Sequence, residues 1–244
     1  MAHHLNPESI SSPVPSAVAG YPVRPLTVQV ADLRVRLVVV KRLEDYVDAE
    51  ALLRDADAPE PPYWAHLWTG SRALARLVAA EIDCTGRRIV EVGCGLGLAG
   101  IVAALRGARV TLIDAVADAL HFARANATLN HVEVAALQTD LRCPGLRGVF
   151  DVCLAADVTY APGLQSALAT FLADHLAPRG RALCVESVRT HDRGFGLACA
   201  RYGFRMDERQ ISATEEGREV ALRLTQIEAP GRSREGRVDV KGET

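Results

Sequence analysis

A chain of 244 residues with 49% hydrophobic content can bury one substantial core and needs no second domain. A net charge of -2, a pI of 6.4 and dispersed Lys and Arg leave no basic footprint for a nucleic-acid backbone. Six cysteines without a Cys-x-x-Cys pair and seven scattered histidines predict free thiols in a reducing compartment and no metal site; the lack of a long apolar run or charged, apolar leader predicts a cytoplasmic, non-membrane protein.

In chain order, residues 1–24 mix Ser, Pro, His and Ala without periodicity and predict a flexible tail. Residues 25–60 read as an extension: a Val- and Leu-rich hairpin over 26–40 turning near Asp32, then a short helix over 43–54, closed by Pro59, Pro61 and Pro62. Aromatic residues are only 5% of the chain, yet Tyr63, Trp64 and Trp68 fall within six positions, beside His66. Aromatic faces attract cations, so this cluster is a candidate pocket wall, with covering of the sheet edge as the alternative for Trp64. Leu74, Leu77, Val78 and Ile82 then recur at helical spacing, predicting the first core helix from Ser71 to Ile82.

The run Ile89-Val-Glu-Val-Gly-Cys-Gly-Leu-Gly-Leu98 carries the most information. A buried strand ends on Glu91 and Val92, passes through Gly93, Gly95 and Gly97, and leaves as a helix over 97–106. Glycines permit the backbone conformations and close approach of a nucleoside cofactor, while a helix start offers unpaired N–H groups. A dinucleotide site wants a third glycine where Leu98 stands, which weakens the pyrophosphate reading. A second short strand, 109–114, ends on Asp114, about 20 residues past the glycines, where a ribose diol would be gripped. Asp114 could equally cap the helix predicted over 117–128.

Strands near 132–136, 150–156, 181–187, 203–209 and 219–226 follow, with helices near 162–175 and 191–201. Alternating strands and helices predict an α/β, Rossmann-like, doubly wound sheet of seven strands, mostly parallel. The link 210–218 is too short and polar for a crossover helix, so the last strand should be antiparallel. Residues 61–228 form the catalytic domain in this reading, and the charged, glycine-rich 229–244 a disordered tail.

The glycine run, Leu112-Ile-Asp114, Gln138-Thr-Asp140-Leu141 and Leu154-Ala-Ala-Asp157-Val-Thr-Tyr160 together resemble the seven-strand S-adenosylmethionine (SAM) methyltransferases. The chain is most similar to their family 16 type, which includes protein lysine methyltransferases and nicotinamide N-methyltransferase-like relatives. Pro62-Tyr-Trp-Ala-His-Leu-Trp-Thr-Gly70-Ser resembles that family's lead-in to the first core helix, and Asp157-Val-Thr-Tyr160 its Asp-x-x-Tyr motif. The resemblance implies SAM as cofactor, with Trp68, Gly70, Glu91, Gly93, Gly95, Gly97, Asp114, Asp140, Leu141 and Ala156 around it. Glu91 would serve the methionine amino side through the glycine loop or simply support that loop. Asp140 would accept the adenine amino group and Leu141 cover the ring.

Asp157, Tyr160 and Ser187 are the catalytic candidates, and Tyr63, Trp64 and Asn126 the substrate-binding ones. Methyl transfer is an in-line displacement, so the protein must align and desolvate a neutral nucleophile; a carboxylate and a hydroxyl could orient an amine through its hydrogens. Asp157 as a helix cap and Tyr160 as a core aromatic are the structural alternatives. The predicted activity is N-methyl transfer to a lysine side chain or small amine. Ser187 followed by Arg189, with no extended acidic stretch, keeps a small substrate open. Alternatively, Tyr160, Ser187 and Asn126 could hold the SAM amino group against its γ-carbon, releasing methylthioadenosine and closing azetidine-2-carboxylate. A non-catalytic SAM-binding scaffold is the third reading.

Overall fold

The structure, a computed structural model, describes residues 13–47, 61–160, 162–187, 194–215 and 217–231. A small sheet of β1 (Ala17–Val18), β2 (Tyr21–Val30) and β3 (Leu33–Val40) precedes the main sheet. The 26–40 hairpin is there, but pairing begins earlier than expected, because Val23 to Val30 pair antiparallel with Val40 to Leu33. Residues 17–24 thus leave the predicted tail. Of the predicted 43–54 helix, a single 3-10 turn (Leu43–Tyr46) is present, and 48–54 lie outside the described residues.

The main sheet holds β4 (Arg88–Val92), β5 (Arg109–Asp114), β6 (Val134–Gln138), β7 (Phe150–Ala156), β8 (Leu176–Ser187), β9 (Arg205–Glu215) and β10 (Arg218–Glu228). Their order is β6-β5-β4-β7-β8-β10-β9; the first five run parallel and β10 lies antiparallel between β8 and β9. The predicted antiparallel last strand is therefore present. The first six residues of the segment read as a polar link continue β9 to Glu215, since each of residues 210–215 finds a partner on β10. β6 begins two residues late because the Val132 N–H is spent on the Ala127 carbonyl at the preceding helix end.

Alternation along β4 explains the two layers. Ile89 packs with α1 (Thr69–Glu81), α2 (Leu98–Leu105) and α3 (Ala117–Leu129), whereas Val90 and Val92 pack on the opposite face with α4 (Pro162–His175) and α5 (Gly194–Arg201). Glu91 shares the Ile89 face and so points beneath α2. The small sheet is fastened by the fully buried Asn126 on α3, whose Oδ1 accepts the Val38 N–H at 2.7 Å while its Nδ2 donates to the Leu96 carbonyl at 3.0 Å. No helix among the described residues is long and apolar enough to cross a membrane.

Candidate functional site

The order in which strands are added reverses at β4, whose neighbours are β5 on one side and β7 on the other. In open α/β sheets this is where strand ends part to leave a crevice. A cavity of about 460 Å³ occupies that place, within the usual range for small-ligand sites. Its floor is the glycine loop, where Gly93, Gly95 and Gly97 have φ of 59°, 49° and 77°. All three lie in the left-handed region, which answers why the sequence places glycine there.

Asp114 ends β5 at the cavity wall. Its Oδ2 accepts the Gly95 N–H at 2.9 Å and its Oδ1 the Val116 N–H at 3.0 Å, so it ties the loop to the start of α3. Burial raises its pKa, opposed by those N–H donors. The ligand and capping alternatives are thus compatible, because each carboxylate oxygen keeps a second lone pair. Asp140 and Leu141 also line the cavity; Asp140 is exposed and binds Arg142 through the main-chain N–H at 2.8 Å and the guanidinium at 3.1 Å.

The aromatic lead-in forms the opposite wall. Tyr63, Trp64, His66 and Trp68 all line the cavity. Trp68 is 40% exposed, with its indole N–H donating to the Tyr63 carbonyl at 2.9 Å, and its ring lies 4.7 Å from that of His66. Trp64 meets Tyr21 edge-to-face at 5.6 Å and lies tilted against Phe122 at 5.1 Å, so the small sheet buttresses this wall.

Ala156, Asp157 and Tyr160 close the third side. Asp157 is a non-glycine residue with φ of 54°, a conformation that needs external support. Its N–H donates to the Val185 carbonyl at 2.9 Å, and its Oδ1 accepts the Ser187 N–H at 3.1 Å. The carboxylate also accepts the Gly70 N–H, which places it over the positive end of α1. Burial nevertheless raises its pKa, with Glu215 adding to the effect. Tyr160 is 60% exposed at the rim, not a core aromatic.

Four sequence-predicted site residues do not line the cavity. Glu91 is 3% exposed and supports the loop: its Oε2 accepts the Gly100 N–H at 2.8 Å, capping α2 from below, and burial pushes its pKa up to about 8. Gly70 contributes its N–H to Asp157 and not a cofactor surface; a Cβ there would sit 2.2 Å from Asp157 Oδ2. Asn126 is fully buried, engaged with the small sheet and the glycine loop and not with the cavity. Ser187 acts through its main chain on Asp157. Among the described residues Tyr160 lines the cavity while Ser187 and Asn126 do not, which leaves the azetidine reading without support.

Sequence reasoning missed Val116, Arg142 and Val158 in the lining. Val158 lies inside the Asp157-x-x-Tyr160 motif and its Cγ1 approaches Gly93 closely enough to forbid a side chain there. Among the described residues no group of His, Cys, Asp and Glu could hold a metal ion.

Comparison with known proteins agrees with this geometry. Residues 63–156 match the family model described as Methyltransferase small domain. The zebrafish (Danio rerio) Protein N-lysine methyltransferase METTL21A is 36% identical over 125 residues, 46% of this chain and 55% of that protein. Electron transfer flavoprotein beta subunit lysine methyltransferase, also from Danio rerio, is 30% identical over 113 residues, 46% of this chain and 44% of that protein. The chain thus spans about half the length of these curated relatives. Among solved structures, the N-methyltransferase NodS from Bradyrhizobium japonicum aligns with a TM-score of 0.55 at 17% identity, over 78% of this chain and 97% of that one. A ribosomal protein L11 methylase from Lactobacillus delbrueckii subsp. bulgaricus gives a TM-score of 0.55 at 22% identity, over 66% and 79%. Glycine loop, strand order and family model agree: residues 63–156 match a methyltransferase small domain, and the seven-strand, Rossmann-like sheet that holds them has the fold of these solved methyltransferase structures.

Proposed function

We propose that this chain is a SAM-dependent N-methyltransferase whose acceptor is a lysine side chain or a small amine. The observation that carries the reading is that Asp157 and Tyr160 line the same cavity as the glycine loop and Asp114. The residues fit SAM by their chemistry. Asp114 offers free lone pairs to a ribose diol, Leu141 and Val116 offer apolar surfaces to an adenine, and the loop offers main chain to the methionine end. Asp114, Asp140 and Asp157 outnumber the one lining guanidinium, Arg142, which suits a cationic ligand.

SAM, when bound, supplies an electrophilic methyl carbon. The protein's own part is to position and desolvate. Asp157, held by the Ser187 and Gly70 N–H groups, is a fixed acceptor for an amine hydrogen, and the Tyr160 hydroxyl at the rim is a second orienting group. The names of the relatives support lysine as the acceptor.

The test supplies methyl-labelled SAM with two acceptor classes, lysine-containing proteins and free alkylamines, and a control protein whose lysines are fully blocked. Label on lysine or amine nitrogen, absent from the blocked control, is expected. Label on another atom, or on none, would overturn the proposal.

A further inference from the structure

Glu186 is a buried carboxyl to which the account above gives no role. It lies at the end of β8, 8% exposed, and the β7–β8 register that pairs Ala156 with Val185 sets it beside Asp157. It is joined to the motif itself. The Thr159 hydroxyl donates to Glu186 Oε1, the Thr159 main-chain N–H also faces the carboxyl, and Gln165 Nε2 on α4 donates to the Thr159 carbonyl at 3.2 Å. Three consecutive residues of β8 therefore grip the turn: Val185 through the Asp157 N–H, Glu186 through Thr159, and Ser187 through the Asp157 carboxylate. A turn that starts from a left-handed Asp157 needs such a grip.

We propose, resting on the SAM reading, that Glu186 is a positioning residue: its carboxyl, joined to Thr159 beside Asp157, anchors the 157–160 turn, and the charge it carries tunes the negative potential that Asp157 presents to the cofactor's sulfonium. Two adjoining buried carboxyls do not both ionise readily. Burial is the main influence raising the Glu186 pKa, and the Asp157 charge adds to it. Arg223 on β10 and the Thr159 N–H oppose the rise, while Glu208 on β9 reinforces it. Asp157, with the Ser187 and Gly70 N–H groups on its carboxylate, is the member that ionises first.

The charge at this pair is readable without an acceptor. SAM and S-adenosylhomocysteine share every titrating group and differ in the positive sulfur, so the ratio of their dissociation constants reports the local negative charge. Calorimetric titration of the full chain with each ligand, from about pH 5 to pH 8, gives that ratio. In the wild type, preference for SAM should rise with pH as Glu186 ionises, by roughly tenfold, the scale of a unit charge about 10 Å away in half-buried surroundings. Glu186→Gln, which keeps an oxygen acceptor for Thr159 but cannot ionise, should remove that step. Thr159→Val, which removes a donor to the ionised form, should move the step to higher pH. A pH profile in Glu186→Gln identical to the wild type would overturn the proposal alone. Failure of either ligand to bind the wild type would overturn the SAM assignment and the proposal with it.

Discussion

Gly70→Ala is the substitution whose outcome the structure fixes most sharply. Replacing glycine by alanine in a helix ordinarily stabilises by about 0.4 to 1 kcal/mol, chiefly through the unfolded chain. Here the new Cβ would stand 2.2 Å from Asp157 Oδ2 and 2.9 Å from its Cγ, against an ordinary contact of at least 3.4 Å, so the carboxylate must retreat by about 1 Å. That movement breaks its bonds with the Gly70 and Ser187 N–H groups. Each hydrogen bond to a charged group is worth about 1.5–3 kcal/mol, and part of that returns if water reaches the displaced carboxylate. The balance is a net loss of about 2 kcal/mol, a fall in midpoint of about 4–8 °C for a chain of this length. Thermal unfolding followed by circular dichroism measures it. Because the displaced Asp157 lines the cavity, SAM should bind more weakly than in the wild type and turnover should fall by more than about tenfold. A variant as stable as the wild type, or more so, would refute the placement of Asp157 over the start of α1.

Asp114→Ala removes the acceptor for the Gly95 and Val116 N–H groups together with the proposed ribose contact, so the SAM dissociation constant measured by calorimetry should rise by about 30- to 100-fold; unchanged affinity would remove the ribose assignment. Asn126→Ala orphans the Val38 N–H and the Leu96 carbonyl and should cost about 3–5 kcal/mol in denaturant unfolding, a loss of stability that a surface substrate contact would not produce. Glu91 gives a pH prediction. Between pH 4.5, its ordinary value, and about 8, the folded chain holds a proton that the unfolded chain releases, so wild-type stability falls as pH rises across that window. Glu91→Gln keeps an oxygen for the Gly100 N–H and should flatten that fall between pH 5 and pH 8; a slope equal to the wild type would show that Glu91 does not titrate there.

The parts of the fold that local pattern governs were legible in the sequence. β4, β5 and β7 carry continuous apolar runs bounded by Gly or Asp, and their limits are as expected. Glycines at 93, 95 and 97 announced a left-handed turn that no other residue type adopts cheaply. What was illegible depends on partners distant in sequence. The extension of β9 to Glu215 is decided by pairing with β10, and the early start of β2 by pairing with β3, neither visible in a hydrophobic period. At the site, Asp114, Asp140, Leu141, Ala156, Asp157, Tyr160 and the aromatic lead-in all line one cavity, because strand ends and that lead-in converge at the reversal of strand order. Asn126 and Gly70 lie outside the lining, and Glu91 takes the loop-supporting one of its two expected roles, for one shared reason: their polar groups or small size serve atoms 9 to 88 residues away, and sequence shows the residue type but not its hydrogen-bond partner.

The central claim is that the cavity holds SAM and directs its methyl carbon to an amine. Incubating the chain with SAM, with and without a lysine-containing acceptor, and identifying the nucleoside product by mass spectrometry tests it most directly. S-adenosylhomocysteine formed only when acceptor is present is the predicted result. Methylthioadenosine formed from SAM alone above the rate without enzyme, or no product with any acceptor, would contradict it.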